Sequence, residues 1–261
     1  MEDVLTETPP PSRFFQDDLD NFAAPSPPVP SPFLLLNHTP NPNLLRPSLL
    51  VIAISAPSIS LLHRIPHKTL IGTLILPEIP LSGNSLAPSP RDRSCNIYAV
   101  DRPAPSPPAV LVSVQYPVTA ERSRAVAKSL LGEIRAETVL ILDSVRSQNY
   151  RERLAVDEAL AFKLETSEQR RGGDPAVVQG VEHLPSGSVM DGLGAAILGE
   201  CQMRKVKGTL LATWPDNGRP PVAPLLRSLL QGLGFEVGGV EGEENFAGFG
   251  VSSRYDSDLY T

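Results

Sequence analysis

Side chains that could do chemistry are sparse in this chain, and the most suggestive are carboxylates after apolar runs. Asp143 and Ser144 close one such run, and Asp216 and Asn217 follow another. Open α/β sheets bind ligands outside the carboxyl ends of their strands. These positions are therefore the one foothold for an enzyme that handles a small molecule or nucleoside, although the same residue types are ordinary turn formers. His63 and His67 stand four apart, the spacing that puts two ligands on one helical face, but Pro66 between them disfavours a regular helix. No third ligand is near, so they read as loop or surface histidines. Cys201 falls on the apolar side of a helical pattern and reads as a small core residue. Neither a Walker loop, nor a dinucleotide fingerprint, nor a nucleophile elbow is present. Gly192, Gly194 and Gly199 lie within an apolar helix and suit close helix packing. The expectation is a protein without catalytic residues, cofactor or metal.

The carboxyl end offers a different chemistry. Leu259, Tyr260 and Thr261 follow a Gly-rich acidic stretch, and Leu259 and Tyr260 are isolated apolar residues after Asp256, Ser257 and Asp258. Nothing there explains them as core. Read as a plug, Leu259 fills a small apolar pocket and Tyr260 offers a flat ring with one hydroxyl handle. The carboxylate of Thr261 pairs with a lysine in a groove, a known mode of peptide recognition.

The rest of the chain must present that end. It has 261 residues, of which 41% are hydrophobic and 20% charged, with a formal charge of −6. A core is feasible, and a broad phosphate-neutralising face is not expected, so no nucleic-acid partner is read. Two cysteines are too few for a disulfide-stapled scaffold or a four-Cys zinc site. The amino-terminal stretch is acidic and proline-rich and does not read as a signal peptide. No apolar run approaches the ~20 residues of a membrane helix. A cytoplasmic protein, with the nucleus also open to it, is expected.

Residues 1–47 read as a disordered proline-rich tail in which the apolar island 33–36 can dock on the body or on a partner. Residues 48–237 read as one α/β domain. Strands are expected near 49–54, 70–76, 110–114, 139–142 and 209–214, with a last one at 235–237. A helix capped by Thr119 has Ala127, Leu130, Leu131 and Ile134 on one face. A helical stretch is expected at 154–164. Another helix is capped from Ser188 to Asp191, with Val189, Leu193, Ala196, Ile197 and Cys201 sharing a face. A further one opens at Pro220-Pro221 and stops at Gly234. Strand–helix alternation points to a single, mostly parallel sheet flanked by helices. Residues 238–261 read as a mobile acidic Gly-rich tail.

Leu193-x-Ala195-Ala196-Ile197-Leu198-x-x-Cys201-Gln202, the strand after it (208–211) and the hydrophobic–Tyr–any terminus are similar to those of a known family. Together with the strand–helix–strand of 110–145, they resemble a plant-type member of the proteasome assembly chaperone 1 family. The resemblance implies a nucleoside-phosphorylase-like α/β fold without catalysis. It also implies a heterodimer with proteasome assembly chaperone 2, and proteasome α subunits as the partners that receive Leu259, Tyr260 and Thr261.

Overall fold

The computed structural model describes residues 28–37, 45–79, 93–102, 107–151, 158–173, 178–215 and 222–238. The chain divides after Pro30, and every element below belongs to the unit that starts at Ser31. Nine strands among the described residues form one sheet: β1 (Phe33–Leu36), β2 (Leu49–Ala53), β3 (Lys68–Ile75), β4 (Cys95–Val100), β5 (Ala109–Val114), β6 (Thr138–Ser144), β7 (Leu160–Glu165), β8 (Glu182–His183) and β9 (Lys207–Trp214). Their spatial order is β1-β3-β4-β5-β2-β6-β9-β7-β8. The helices are α1 (Ala56–His63), α2 (Ala120–Glu133), α3 (Ser167–Gly172), α4 (Gly192–Arg204) and α5 (Val222–Gly232).

The centre of the sheet is the parallel block that the sequence leads one to expect. β5, β2, β6 and β9 run parallel, with Leu50 opposite both Val110 and Val139, and Ile141 opposite Leu210. β2 is Leu-Leu-Val-Ile-Ala and buried at every position. Such a strand demands cover on both faces. Its even-numbered residues Leu50 and Ile52 share a core with Val126 and Leu130 of α2 and Leu193 and Ile197 of α4. Its odd-numbered residues Leu49, Val51 and Ala53 share a second core with Ile59 and Leu62 of α1 and Leu226, Leu229 and Leu230 of α5. The result is three layers, helix on sheet on helix.

Around that block the pairings are antiparallel, except at the β7–β8 edge, which is parallel. β4 pairs with β5, β3 with β4, β1 with β3, and β7 with β9, each in antiparallel sense. The fold is thus a mixed α/β sheet with a parallel heart. The apolar island of the proline-rich segment docks on the body as β1, at the sheet edge, with Leu35 opposite Thr73. Its approach depends on Gly72, which sits at a register irregularity in β3. A Cβ at Gly72 would lie 2.8 Å from the Leu35 carbonyl oxygen. Ser129 of α2 adds a bond to the Pro32 carbonyl, 2.8 Å.

Several local expectations are corrected. Residues 160–165 form β7 where a helix was expected, because Leu160 to Glu165 complete the edge of β9 and cross-strand pairing overrides local pattern. Residues 235–237 form no strand. Phe235 and Val237 are core residues after a Schellman ending of α5, in which Phe235 N–H donates to Leu230 O and Gly234 N–H to Gln231 O, with Gly234 at φ 84°. Thr119 stands at the N-cap of α2 but its side chain makes no capping bond. Val189 lies ahead of α4 and is exposed rather than part of its buried face. Pro220 and Pro221 fall outside the described residues, as do most of the expected amino-terminal tail and all of residues 239–261.

Leu130 is wholly buried. Leu130→Asp would drive an unpaired carboxylate into the core and should leave the chain without a cooperative thermal transition. Leu130→Ala should fold with a loss of ~2–5 kcal/mol in urea denaturation. Gly72→Val should displace β1 alone, read as faster hydrogen exchange at Leu35 and Leu36 while the amides of β2 and β6 keep their protection.

Candidate functional site

The carboxyl ends of the parallel strands lie side by side, with Ala53 opposite Leu142 and Ser144 opposite Thr213. In this fold class that edge is where a ligand would sit. At that edge the described groups bond one another. Ile54 and Ser55 N–H both donate to Leu142 O at 2.9 and 3.3 Å. Ser58 Oγ donates to Ser55 O at 2.7 Å, anchoring the first turn of α1 to the end of β2. Thr213 Oγ1 donates to Asp143 O, 3.2 Å, and Val145 N–H to Thr213 O, 3.0 Å.

Asp143 is the one strand-end carboxylate of the sequence reading that falls within the described residues; Asp216 and Asn217 lie outside them. Its Oδ1 accepts the Ser144 N–H at 2.8 Å, and the carboxylate lies against Gly194 in the first turn of α4, whose backbone amide favours its charged form. The expected cap, Asp191, makes no capping bond and pairs with Arg146 at 3.4 Å. A side chain on Gly194 would collide with Asp143 Oδ2, so glycine is required there. Gly199 faces no such neighbour, and the close-packing reading holds for Gly194 alone of these two. Desolvation at its partly buried place pushes the Asp143 carboxyl up to about 6, with the Ser144 and Gly194 amides and Arg146 pulling the other way.

The other reactive types are likewise bound into structure. Cys95 and Cys201 are both buried, and burial pushes each thiol up to about 12, far from a nucleophilic thiolate. His63 ends α1, whereas His67 sits beyond it at φ 53°, so the two do not share a helical face. Among the described residues no group of three His, Cys, Asp or Glu is placed to hold a metal. No helix among them is long and apolar enough to cross a membrane.

Two clefts open elsewhere, where α1 ends and β3 begins. One, about 490 Å³, is lined by His63, Arg64, Ile65, Pro66, His67, Lys68, Leu70 and Tyr98. Its neighbour, about 280 Å³, includes Asp101, Arg102, Phe235 and Glu236. Lys68 Nζ donates to His63 O at 2.6 Å and Ile65 O at 2.8 Å, so it caps the carboxyl end of α1 and sits 5.7 Å above the Tyr98 ring. Burial draws the ammonium below the usual lysine range. Arg102 does the same for α5 through Leu233 O, 3.0 Å, while lying over the Phe235 ring. These clefts went unnoticed in the sequence, since the residues that form them are spread from 63 to 236. The only local sign was Lys68 heading a strand just after Pro66. Leu259, Tyr260 and Thr261 lie outside the described residues.

No family model and no curated protein matches the chain. Solved structures do share its fold. It is similar to PbaB of Pyrococcus furiosus, an archaeal proteasome activator, at 12% identity and a TM-score of 0.55, over 84% of this chain and 93% of that one. It is similar to PbaA of the same organism, an archaeal homolog of proteasome-assembly chaperone, at 17% identity and a TM-score of 0.55, over 80% of this chain and 84% of that one. A Mycobacterium tuberculosis protein of unknown function superposes at 12% identity and a TM-score of 0.50, over 83% of this chain and 78% of that one. At such identities the likeness establishes the mixed α/β fold with its large central sheet.

The Asp143 geometry sets a pH dependence. A carboxyl raised from 3.8 to about 6 on folding binds more protons in the folded than in the unfolded chain between those values. Its contribution therefore favours folding at low pH and is lost as pH rises through 6, by about 3 kcal/mol in all if burial is complete. Urea denaturation of the native chain and of Asp143→Asn at pH 4.5 and 7.5 should show that the substitution removes a fall in stability between the two. Parallel pH profiles would assign the titration elsewhere.

Proposed function

We propose that this chain is a proteasome assembly chaperone that works by binding and carries out no reaction. The observation that carries the reading is chain-wide likeness of fold to PbaB and PbaA, described respectively as a proteasome activator and a homolog of a proteasome-assembly chaperone. Two features of this chain support it. The strand-end carboxylate that an enzyme of this fold would use accepts the Ser144 amide and lies against the first turn of α4. The sequence also carries Leu259-Tyr260-Thr261, the hydrophobic–Tyr–any pattern of proteins that dock on the α ring.

In the proposed mechanism the body pairs with proteasome assembly chaperone 2, as a plant-type chaperone 1 would. The heterodimer holds α subunits in register while the ring closes. Thr261, taken as the free carboxyl end, presents its carboxylate to a lysine between two α subunits, with Tyr260 and Leu259 filling the pocket beside it. One plug from each partner acts through effective concentration, so neither has to bind tightly alone. An acidic body, −6 overall, steers approach to a basic surface and rejects wrong ones. Work of this kind takes place in the cytoplasm, with no nucleic acid or cofactor involved.

Tyr260→Ala and removal of residues 259–261 should both leave the fold and the heterodimer intact. Recovery of α subunits on the purified heterodimer should drop by roughly 30-fold in apparent affinity if the ring is an anchoring hot spot worth about 2 kcal/mol. Equal recovery by native and truncated chains would remove the plug from the mechanism.

A further inference from the structure

The larger cleft, at the end of α1, carries one sign of charge. Among the described residues that line it Arg64 and Lys68 are cationic and none is acidic. His63 stays neutral there, because burial and then the Lys68 ammonium draw its imidazole below the usual range. Lys68 uses two of its three N–H groups on the carbonyls of His63 and Ile65, which fixes the ammonium in place. The carboxyl end of α1 brings about half a negative charge against two cations, so the cleft remains electropositive. The Arg64 guanidinium has no ion-pair or hydrogen-bond partner among the described residues.

The remaining walls are mostly apolar. Ile65, Pro66, Leu70 and the Tyr98 ring supply them, with Lys68 Nζ 5.7 Å from the ring centroid. Tyr98 is 3% exposed. Burial raises its hydroxyl and nearby Asn96 pulls the other way, yet the hydroxyl makes no hydrogen bond of ordinary geometry. A buried polar group left unbonded is costly, and a ligand oxygen would relieve it. Phosphate sites are commonly built from backbone N–H groups at helix N-termini or in nests. This cleft lies at the opposite end of a helix, where the backbone offers carbonyl oxygens, and that suits one negative charge better than two. At about 490 Å³ it falls in the size range of small-molecule sites.

We propose that this cleft binds a small monocarboxylate with an apolar body, its carboxylate on Lys68 and Arg64 and its hydrocarbon part against Leu70 and the Tyr98 ring. Both cations stand at one end of the apolar wall, so charge and hydrocarbon must be joined in one molecule to use the whole cleft. The ionic part of the contact is partly exposed, so salt weakens it.

Titration of the isotopically labelled full-length chain with sodium hexanoate, followed by amide NMR at constant ionic strength, tests this. Hexanoate should give saturable shifts confined to residues 63–70 and Tyr98. 1-Hexanol, the same body without the charge, should need at least ten times the concentration, and so should inorganic phosphate. Arg64→Glu should weaken hexanoate at least tenfold while amides away from the cleft keep their positions. It is the deciding variant, since Lys68 also caps α1. Comparable binding of hexanol would reduce the cleft to an apolar hollow, and comparable binding of phosphate would make it a general anion site; either overturns the proposal. So would shifts that fail to saturate, that spread to Lys128, Lys205 and Lys207, or that persist in Arg64→Glu. No proteasome subunit takes part, so failure here is separate from failure of the chaperone reading.

Discussion

Burial of β2 on both faces is the constraint from which the rest of the structure follows. Leu49, Leu50, Val51, Ile52 and Ala53 leave no polar side for water, and β5 and β6 beside them repeat the pattern. A strand of that kind is stable only between two helix layers. α2 and α4 cover one face, and α1 and α5 the other. The two layers also settle where carboxylates can lie. Asp143, at the end of β6, lies against Gly194 in the first turn of α4.

A carboxylate raised to about 6 is a feature often met in active sites. Here its Oδ1 accepts the amide of Ser144 beside it, and the two clefts found among the described residues lie by the end of α1. The raised value reports desolvation beside the first turn of α4. Similarity to PbaA and PbaB extends over four-fifths or more of the chain, so the scaffold as a whole, rather than one motif, is what the chain shares with them.

The parallel heart was legible because strands buried on both faces read as continuous apolar runs, and 49–54, 110–114, 139–142 and 209–214 are such runs. α2 was legible from Ala127, Leu130 and Leu131 at helical spacing. The antiparallel wings were harder. β4, Cys-Asn-Ile-Tyr-Ala-Val, mixes polar and apolar residues because Asn96 bonds Thr73 and Ser94 on one face while Ile97 enters the core on the other. β7 carries a buried lysine, Lys163, bonded to Val178 O, which hides a core strand behind a charged residue. The approach of Asp143 to the first turn of α4 was out of reach, since it spans 51 positions of sequence (143 to 194) and Asp191 stands at the expected cap. The cationic cleft is likewise assembled by the fold, from the end of α1, the start of β3 and the middle of β4.

The central proposal is that Leu259, Tyr260 and Thr261, with Thr261 taken as the carboxyl end, are recognised by proteasome α subunits. The most direct measurement is the affinity of the heterodimer for purified α subunits with the native end and with one glycine appended after Thr261. The appended residue keeps Leu259 and Tyr260 but moves the charge by one residue. The account predicts at least a tenfold loss of affinity with the heterodimer unaltered. Equal affinity for the two ends would contradict it.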